Sequence, residues 1–281
     1  MNKVAEALKQ GMDLLREAGT DSPRLDARLL LGAALKVDNS WLFNHPDRAL
    51  DADAVERYRA LLARRCEREP ISLILGRREF WSMEFQVTAD TLAPRPDSET
   101  VIEAVLQQIP DRDAPWTVLD LGTGTGCLLL SLLAELPRAH GLGVDRSEAA
   151  LQVAIGNAQR LGFAGRAEFR RSNWFAQVDG SFNIIICNPP YIASGDIAGL
   201  EPEVARFEPI GALDGGADGL DDYRILAEQM PERLTQGGWV AFEVGAGQAG
   251  PVAKLLEEAG LTIRDIRKDL GCIARAVVAS R

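Results

Sequence analysis

From about residue 97 to the end, strand-length apolar runs alternate with helical stretches, and this alternation constrains the fold more than any other feature. A helix over about 97–109 leads into WTVLDL (116–121), which reads as a buried strand. CLLLSLLAEL (127–136) is a helix, GLGVD (141–145) a strand and EAALQVAIGNAQRLG (148–162) a helix. AEFRRS (167–172) and FNIIICN (182–188) are the third and fourth strands. After a long loop come a helix at 223–234, the strand GWVAFEVG (238–245), and a helix over 248–260 with Pro251 in its first turn, where a missing N–H is tolerated. LTIRDIRKD and CIARAVVAS close the chain as two strands joined by a short turn, which requires antiparallel pairing. Apolar strands alternating with helices imply the α/β class, with a mostly parallel sheet covered on both faces.

The first 75 residues follow helical periodicity throughout. Val4, Leu8, Met12 and Leu15 recur at three- and four-residue steps, as do Leu25, Leu29, Leu30 and Ala33 in a helix that Pro23 introduces. A third helix over about 52–68 turns Val55, Tyr58, Leu61 and Leu62 inward and stops before Pro70. REFWSMEFQVT (78–88) alternates like a short hairpin. The expected organisation is a helical domain (1–75), a hairpin linker (76–96) and an α/β domain (97–281). A length of 281 residues suits about two domains. A composition 46% hydrophobic and 26% charged excludes a disordered chain, a collagen-like repeat and a small disulfide scaffold.

The formal net charge is -10, from 31 Lys+Arg against 41 Asp+Glu, and this argues against binding driven by a phosphate backbone. Residues 1–75 hold 12 bases and 12 acids, so the helical domain is no phosphate platform. Residues 196–222 hold eight acids against Arg206 alone. They read either as a solvated loop or as a patch that repels nucleic acid and favours a basic protein surface. Cys66, Cys127, Cys187 and Cys272 are scattered without a CxxC pair and read as reduced core thiols. His45 and His140 lie far apart, so no metal site is expected. The charged N-terminal helix is neither a signal peptide nor a membrane span, which places the protein in the cytoplasm. Nothing demands more than a monomer.

Two loops carry the chemistry. DLGTGTGC (120–127) follows the first α/β strand and opens a helix; Gly122, Gly124 and Gly126 let backbone approach a ligand where a Cβ would collide. Asp145 ends the next strand, where a carboxylate can accept both hydroxyls of a ribose. That pattern serves a dinucleotide and S-adenosylmethionine equally, and Asp145 could instead cap the following helix. In SNWF (172–175), Asn173 could bond a base edge and Trp174 could cover its face, or Trp174 could be plain core. CNPPY (187–191) is the most specific signal. Two prolines remove two donors, so the segment presents carbonyls, and Asn188 adds an amide and Tyr191 a flat face. Acceptors on Asn188 and Pro189 can hold the N–H groups of a delocalised nitrogen, aim it at an electrophilic methyl and stabilise the charge that develops. No strong general base is needed, because the nitrogen becomes acidic once methylated.

DLGTGTG together with NPPY resembles the amino-methyltransferase branch of the S-adenosylmethionine-dependent methyltransferases. LAPRPDSE (92–99), YIASGDI, LEPEVARFEP, ALDGGADGLDDYR and the final DLGCIARAVVA narrow the resemblance to the HemK/PrmC family of release-factor glutamine methyltransferases, from about residue 20 to the end. The resemblance implies a helical N-terminal domain that helps receive the substrate, a hairpin linker and a Rossmann-like seven-stranded methyltransferase domain. It implies methyl transfer from S-adenosylmethionine to the Gln side-chain amide nitrogen in the Gly-Gly-Gln loop of class-one peptide-chain release factors, modulating translation termination. Carried over to this sequence, Gly122, Thr123, Gly124, Thr125 and Gly126 hold the methionine part of the cofactor, Asp145 its ribose, and Trp174 its adenine. Asn188, Pro189, Pro190 and Tyr191 hold the target Gln, with Asn188 also near the cofactor and Asn188, Pro189 and Tyr191 as the catalytic set. The family often has PRPETE where this chain has PRPDSE, and the role of Arg95 stays open. Competing readings are a nucleic-acid (adenine) amino-methyltransferase, a Rossmann dehydrogenase and a non-catalytic S-adenosylmethionine-binding protein.

Overall fold

The structure is a computed structural model that describes residues 1–281. The chain divides into two compact units, residues 1–76 with 201–207, and residues 77–200 with 208–281.

The smaller unit is built from α1 (Val4–Glu17), α2 (Pro23–Leu35), α3 (Asn39–Asn44), α4 (Ala52–Cys66) and α5 (Ile71–Leu75). Local chemistry sets its boundaries. Asp38 and Asp51 cap α3 and α4 by accepting from Trp41 N at 2.7 Å and Ala54 N at 2.6 Å. Pro23 occupies the first turn of α2. Val4, Ala7 and Leu15 meet Leu30, Leu31, Tyr58 and Leu62 in one apolar core. The buried face of α2 is Ala27, Leu30, Leu31 and Ala34, which leaves Leu25 45% exposed and off the face expected for it.

The larger unit opens with β1 (Arg77–Phe80) and β2 (Met83–Gln86), an antiparallel hairpin. The hairpin, read from the sequence as a linker, belongs to this unit's core. Phe80 and Phe85 pack with Val101, Val105 and Leu129, and Gln86 N donates to Asn157 Oδ1 at 2.7 Å. Then come α6 (Glu99–Gln108), β3 (Thr117–Leu121), α7 (Cys127–Glu135), β4 (His140–Asp145), α8 (Glu148–Arg160), β5 (Ala167–Arg171) and β6 (Phe182–Cys187). The one-turn α9 (Pro202–Ala205) belongs to the smaller unit. The larger unit resumes with α10 (Asp221–Arg233), β7 (Leu234–Glu243), α11 (Ala249–Glu258), β8 (Thr262–Lys268) and β9 (Ala274–Ser280).

The seven-stranded sheet has the order β5-β4-β3-β6-β7-β9-β8. Its first five strands are parallel neighbours, and β9 runs antiparallel to both β7 and β8. Strand alternation feeds two cores. Val118, Ile184, Ile186 and Ala241 face one, while Leu119, Ile185, Cys187 and Phe242 face the other. The strand order reverses between β3 and β6, which opens a crevice at their carboxyl ends.

Most charges of the acidic loop are paired with arginines of the same chain. Glu203 accepts from Arg65 at 2.9 Å and Arg68 at 2.6 Å, and Glu201 accepts from Arg68 at 3.1 Å. Arg65 also donates to Asp26 at 2.7 Å. These contacts make 201–207 part of the helical unit. Glu208 accepts from Arg95 at 2.7 Å, and Arg224 donates to Asp218 and Asp221. All four cysteines are free, as expected, but Cys272 is exposed in the turn between β8 and β9 rather than in the core.

Candidate active site

The carboxyl ends of β3, β4, β5 and β6 open onto one cleft within the larger unit. Gly122, Thr123, Gly124 and Thr125 line it from the first loop, Asp145 from the second, Asn173 and Trp174 from the third, and Asn188 and Pro190 from the fourth. Four loops separated by up to 68 residues in sequence therefore meet at the switch point between β3 and β6.

The glycine loop is shaped by its neighbours. Gly122 has φ +73°, a conformation that favours glycine, and a Cβ there would touch the Trp174 indole at 3.4 Å, so loop and indole pack directly together. Gly126 has φ +80° and is the N-cap of α7. It faces Ala154 rather than the cleft, so it serves the turn into the helix. Asp145 braces the loop: Oδ2 accepts from Gly124 N at 3.0 Å and Oδ1 from Ser147 N at 2.9 Å. Ser147, not Asp145, caps α8, through Ala150 N at 3.2 Å. Each Asp145 oxygen keeps lone-pair capacity toward the cleft.

Trp174 is not plain core. It is half-buried, its φ is +48°, and its Nε1 donates to Asp222 Oδ1 at 3.2 Å. A bulky residue held in the left-handed region signals a position fixed by its surroundings. Beneath the loop, Asp120 is 1% exposed; Oδ2 accepts from Thr123 Oγ1 at 2.7 Å, and Oδ1 has no partner. Burial pushes its carboxyl up to about 7.

The NPPY segment is clamped from below. Gly219 and Gly215 lie so close that a Cβ would meet the Tyr191 carbonyl at 2.3 Å and the Pro190 carbonyl at 2.6 Å. Gln248 Nε2 donates to the Tyr191 carbonyl at 2.8 Å, and its Oε1 accepts from Gly245 N at 2.9 Å. The Tyr191 carbonyl is thus committed to the fold. Pro189 is buried and, with Tyr191 and Gly126, lies outside the cleft lining; Asn188 and Pro190 are within it. Burial and the charge of Glu243 push the Tyr191 hydroxyl up to about 12, so it stays protonated.

Other lining residues were legible only as segments of the family resemblance, without an assigned role. Leu92 to Arg95 form one wall, and Pro209, Gly211 and Ala212 form another. Arg146 Nη2 donates to the Gly211 carbonyl at 2.7 Å, tying the 209–212 turn to the loop after β4. Arg95 lines the cleft and pairs with Glu208 through both carboxylate oxygens, at 2.7 and 2.8 Å. Burial still holds Glu208 above the usual carboxylate range. Asp222 lines the cleft as well as accepting from Trp174. A lone acid at the end of the apolar run WVAFEV was the available hint for Glu243, whose carboxyl lies next to Asn188 and Ser98.

Residues 6–76 match the model for the PrmC N-terminal domain, and residues 113–214 match a methyltransferase domain model. A release factor glutamine methyltransferase of Rhodospirillum rubrum is 49% identical over 278 residues, covering 99% of this chain and 85% of that protein. The chain belongs to the release factor glutamine methyltransferase family. A second family member, from Cereibacter sphaeroides, is 46% identical over 99% of this chain and 98% of its own length. The crystal structure of the hMettl16 catalytic domain in complex with MAT2A 3′UTR hairpin 6 shares the fold at TM-score 0.58, with 18% identity over 78% of this chain and 81% of that one. The family makes this chain a methyltransferase that uses S-adenosylmethionine.

Proposed function

We propose that this enzyme methylates the side-chain amide nitrogen of a glutamine in a peptide-chain release factor, the Gln of the Gly-Gly-Gln loop in class-one factors. The observation that carries the reading is that NPPY and the glycine loop open onto one cleft, at adjacent strand ends of a chain 49% identical to a release factor glutamine methyltransferase.

The cleft fits S-adenosylmethionine. Gly122, Gly124 and the Trp174 indole line it together, and Asp145 can accept two ribose hydroxyls with its remaining lone pairs. Gly122 to Thr125 receive the methionine part in this reading, and Gly126 turns the chain into α7. The cofactor supplies a methyl group on a positively charged sulfur, an electrophile that needs no activation by the protein. Asn188 Oδ1 and the Pro189 carbonyl accept the two N–H groups of the target amide, so its nitrogen faces the methyl and its developing positive charge meets two fixed dipoles. Pro190 shapes the wall beside the amide, and Tyr191 backs it from outside the lining. Tyr191 remains a neutral phenol and takes no proton. The product nitrogen is acidic enough to lose its proton to solvent.

The helical unit is the part assigned to receiving the release factor, supported by its match to the PrmC N-terminal domain. The protein is read as a cytoplasmic monomer that acts on protein and not directly on nucleic acid; no helix is long and apolar enough to cross a membrane. Labelled S-adenosylmethionine and a release factor, wild type beside its Gln→Ala loop variant, test the substrate. Label is expected on the wild-type factor only, and equal labelling of both refutes the site of transfer. Asn188→Ala should lower kcat about 10²–10³-fold while cofactor affinity, read by calorimetry, changes far less. Unchanged kcat removes Asn188 from the mechanism.

A further inference from the structure

Building on that reading, we propose that Glu243 is a positioning residue for Asn188: its carboxylate accepts from the Asn188 Nδ2 group and so turns Asn188 Oδ1 toward the target amide. Glu243 ends β7 and is 2% exposed. The β6–β7 register pairs Cys187 with Phe242, so the next step along both parallel strands sets Asn188 beside Glu243. Both continue the side of the sheet that carries Ile186 and Ala241. The Asn188 amide and the Ser98 hydroxyl lie near enough to favour the charged carboxyl. Its Oε2 is buried with no hydrogen-bond partner of its own.

The orientation follows from donor and acceptor counting. An amide can present either end, but an ionised carboxylate only accepts. Beside Glu243, Asn188 must turn its NH₂ inward and its oxygen outward. The opposite rotamer would set an N–H donor against the N–H of the target. A buried acid on a strand is costly, and the residue opposite it on β9 is Ala276, so packing gives no reason for a carboxylate here.

Protonation would release the constraint, because a neutral carboxyl donates as well as accepts. Burial pushes Glu243 up to about 7. Charged neighbours are Asp97, from the turn before α6, which raises it, and Arg275 on β9, which lowers it. Cys187, Tyr191, Tyr223 and Cys127 also feel its charge; burial raises all four, and they stay neutral near pH 7.

Two measurements on the full chain test the assignment. In ¹⁵N-labelled wild type without release factor, the Asn188 Nδ2 resonances, identified by their loss in Asn188→Ala, should titrate with a midpoint near 7, and should not do so in Glu243→Gln. For release-factor methylation at pH 8, Glu243→Gln should lower kcat about tenfold or more and abolish the acid limb of the kcat profile, with KM and cofactor affinity changed less than about threefold. Thermal unfolding distinguishes a structural role, since removing a carboxyl with a raised pKa leaves the variant at least as stable at pH 8. Asn188 resonances that ignore pH in the wild type overturn the proposal, whatever the variant's folding. So does a folded Glu243→Gln with wild-type kcat and pH profile. If the wild type methylates no release factor, the functional reading fails, and the resonance titration still decides the role of Glu243.

Discussion

Asp120 shows how one residue ties the cofactor loop to stability. It holds Thr123 with one oxygen while the other is buried without a partner. Desolvation raises its pKa to about 7, so between roughly pH 4 and 7 the folded protein holds a proton that the unfolded chain has lost. Stability from this group therefore falls as pH rises through that window and stays lowered above it. Asp120→Asn keeps an acceptor for Thr123 and removes the titration. Between pH 5 and pH 8 the variant should gain on the wild type by roughly 2–3 kcal/mol, measured by denaturant unfolding at each pH. A constant offset would mean that Asp120 is ionised throughout. The strand WTVLDL already held Asp120, but that one carboxylate oxygen is buried without a partner depends on packing the motif does not show. The place of Asn188 and Asp145 at the cleft was legible because each follows or ends a strand that leads into it. The partners that hold them, Gln248 under NPPY and Ser147 in place of Asp145 as cap, lie in other elements or depend on cap geometry.

Among the elements, α1 carries a glycine whose role its helical pattern hides. Gly11 lies in mid-helix, where Ala is ordinarily preferred by about 1 kcal/mol. Here a Cβ would sit 2.0 Å from the Tyr58 hydroxyl oxygen of α4. Tyr58 is fully buried and donates to the Ala27 carbonyl at 3.3 Å, so it has little room to retreat. Gly11→Ala should therefore destabilise the protein by about 1–2 kcal/mol despite its better propensity, as read from the denaturant midpoint. A stabilised variant would show that Tyr58 moves aside at little cost. Strand periods and helix faces were readable because burial alternates at two residues in a strand and at three to four in a helix. α3, α5 and α9 were missed because four to six residues are too few to show a period. The hairpin was visible as alternation, but its place in the core of the larger unit depended on Asn157, some 70 residues away.

For the molecule as a whole, folding leaves the net charge of -10 as it is but decides which charges are paired. The eight acids of 196–222 look in sequence like one exposed patch, yet Glu201, Glu203, Glu208, Asp218 and Asp221 are paired with arginines. Raising ionic strength from about 50 to 300 mM should then change kcat/KM for the release factor by less than about threefold, since paired charges project little field beyond a Debye length. A steep fall with salt would restore electrostatic steering. The order of residues along the chain was enough to specify the α/β class, the two kinds of segment, the glycine loop and NPPY. Each of these is local, set by side-chain period or by chemistry packed into a few adjacent residues. Which acids are neutralised, which carboxyls are desolvated, and that Trp174 meets Gly122 while Glu243 meets Asn188 depend on strand order and register. The last two contacts join residues more than 50 positions apart, and no periodicity reports them.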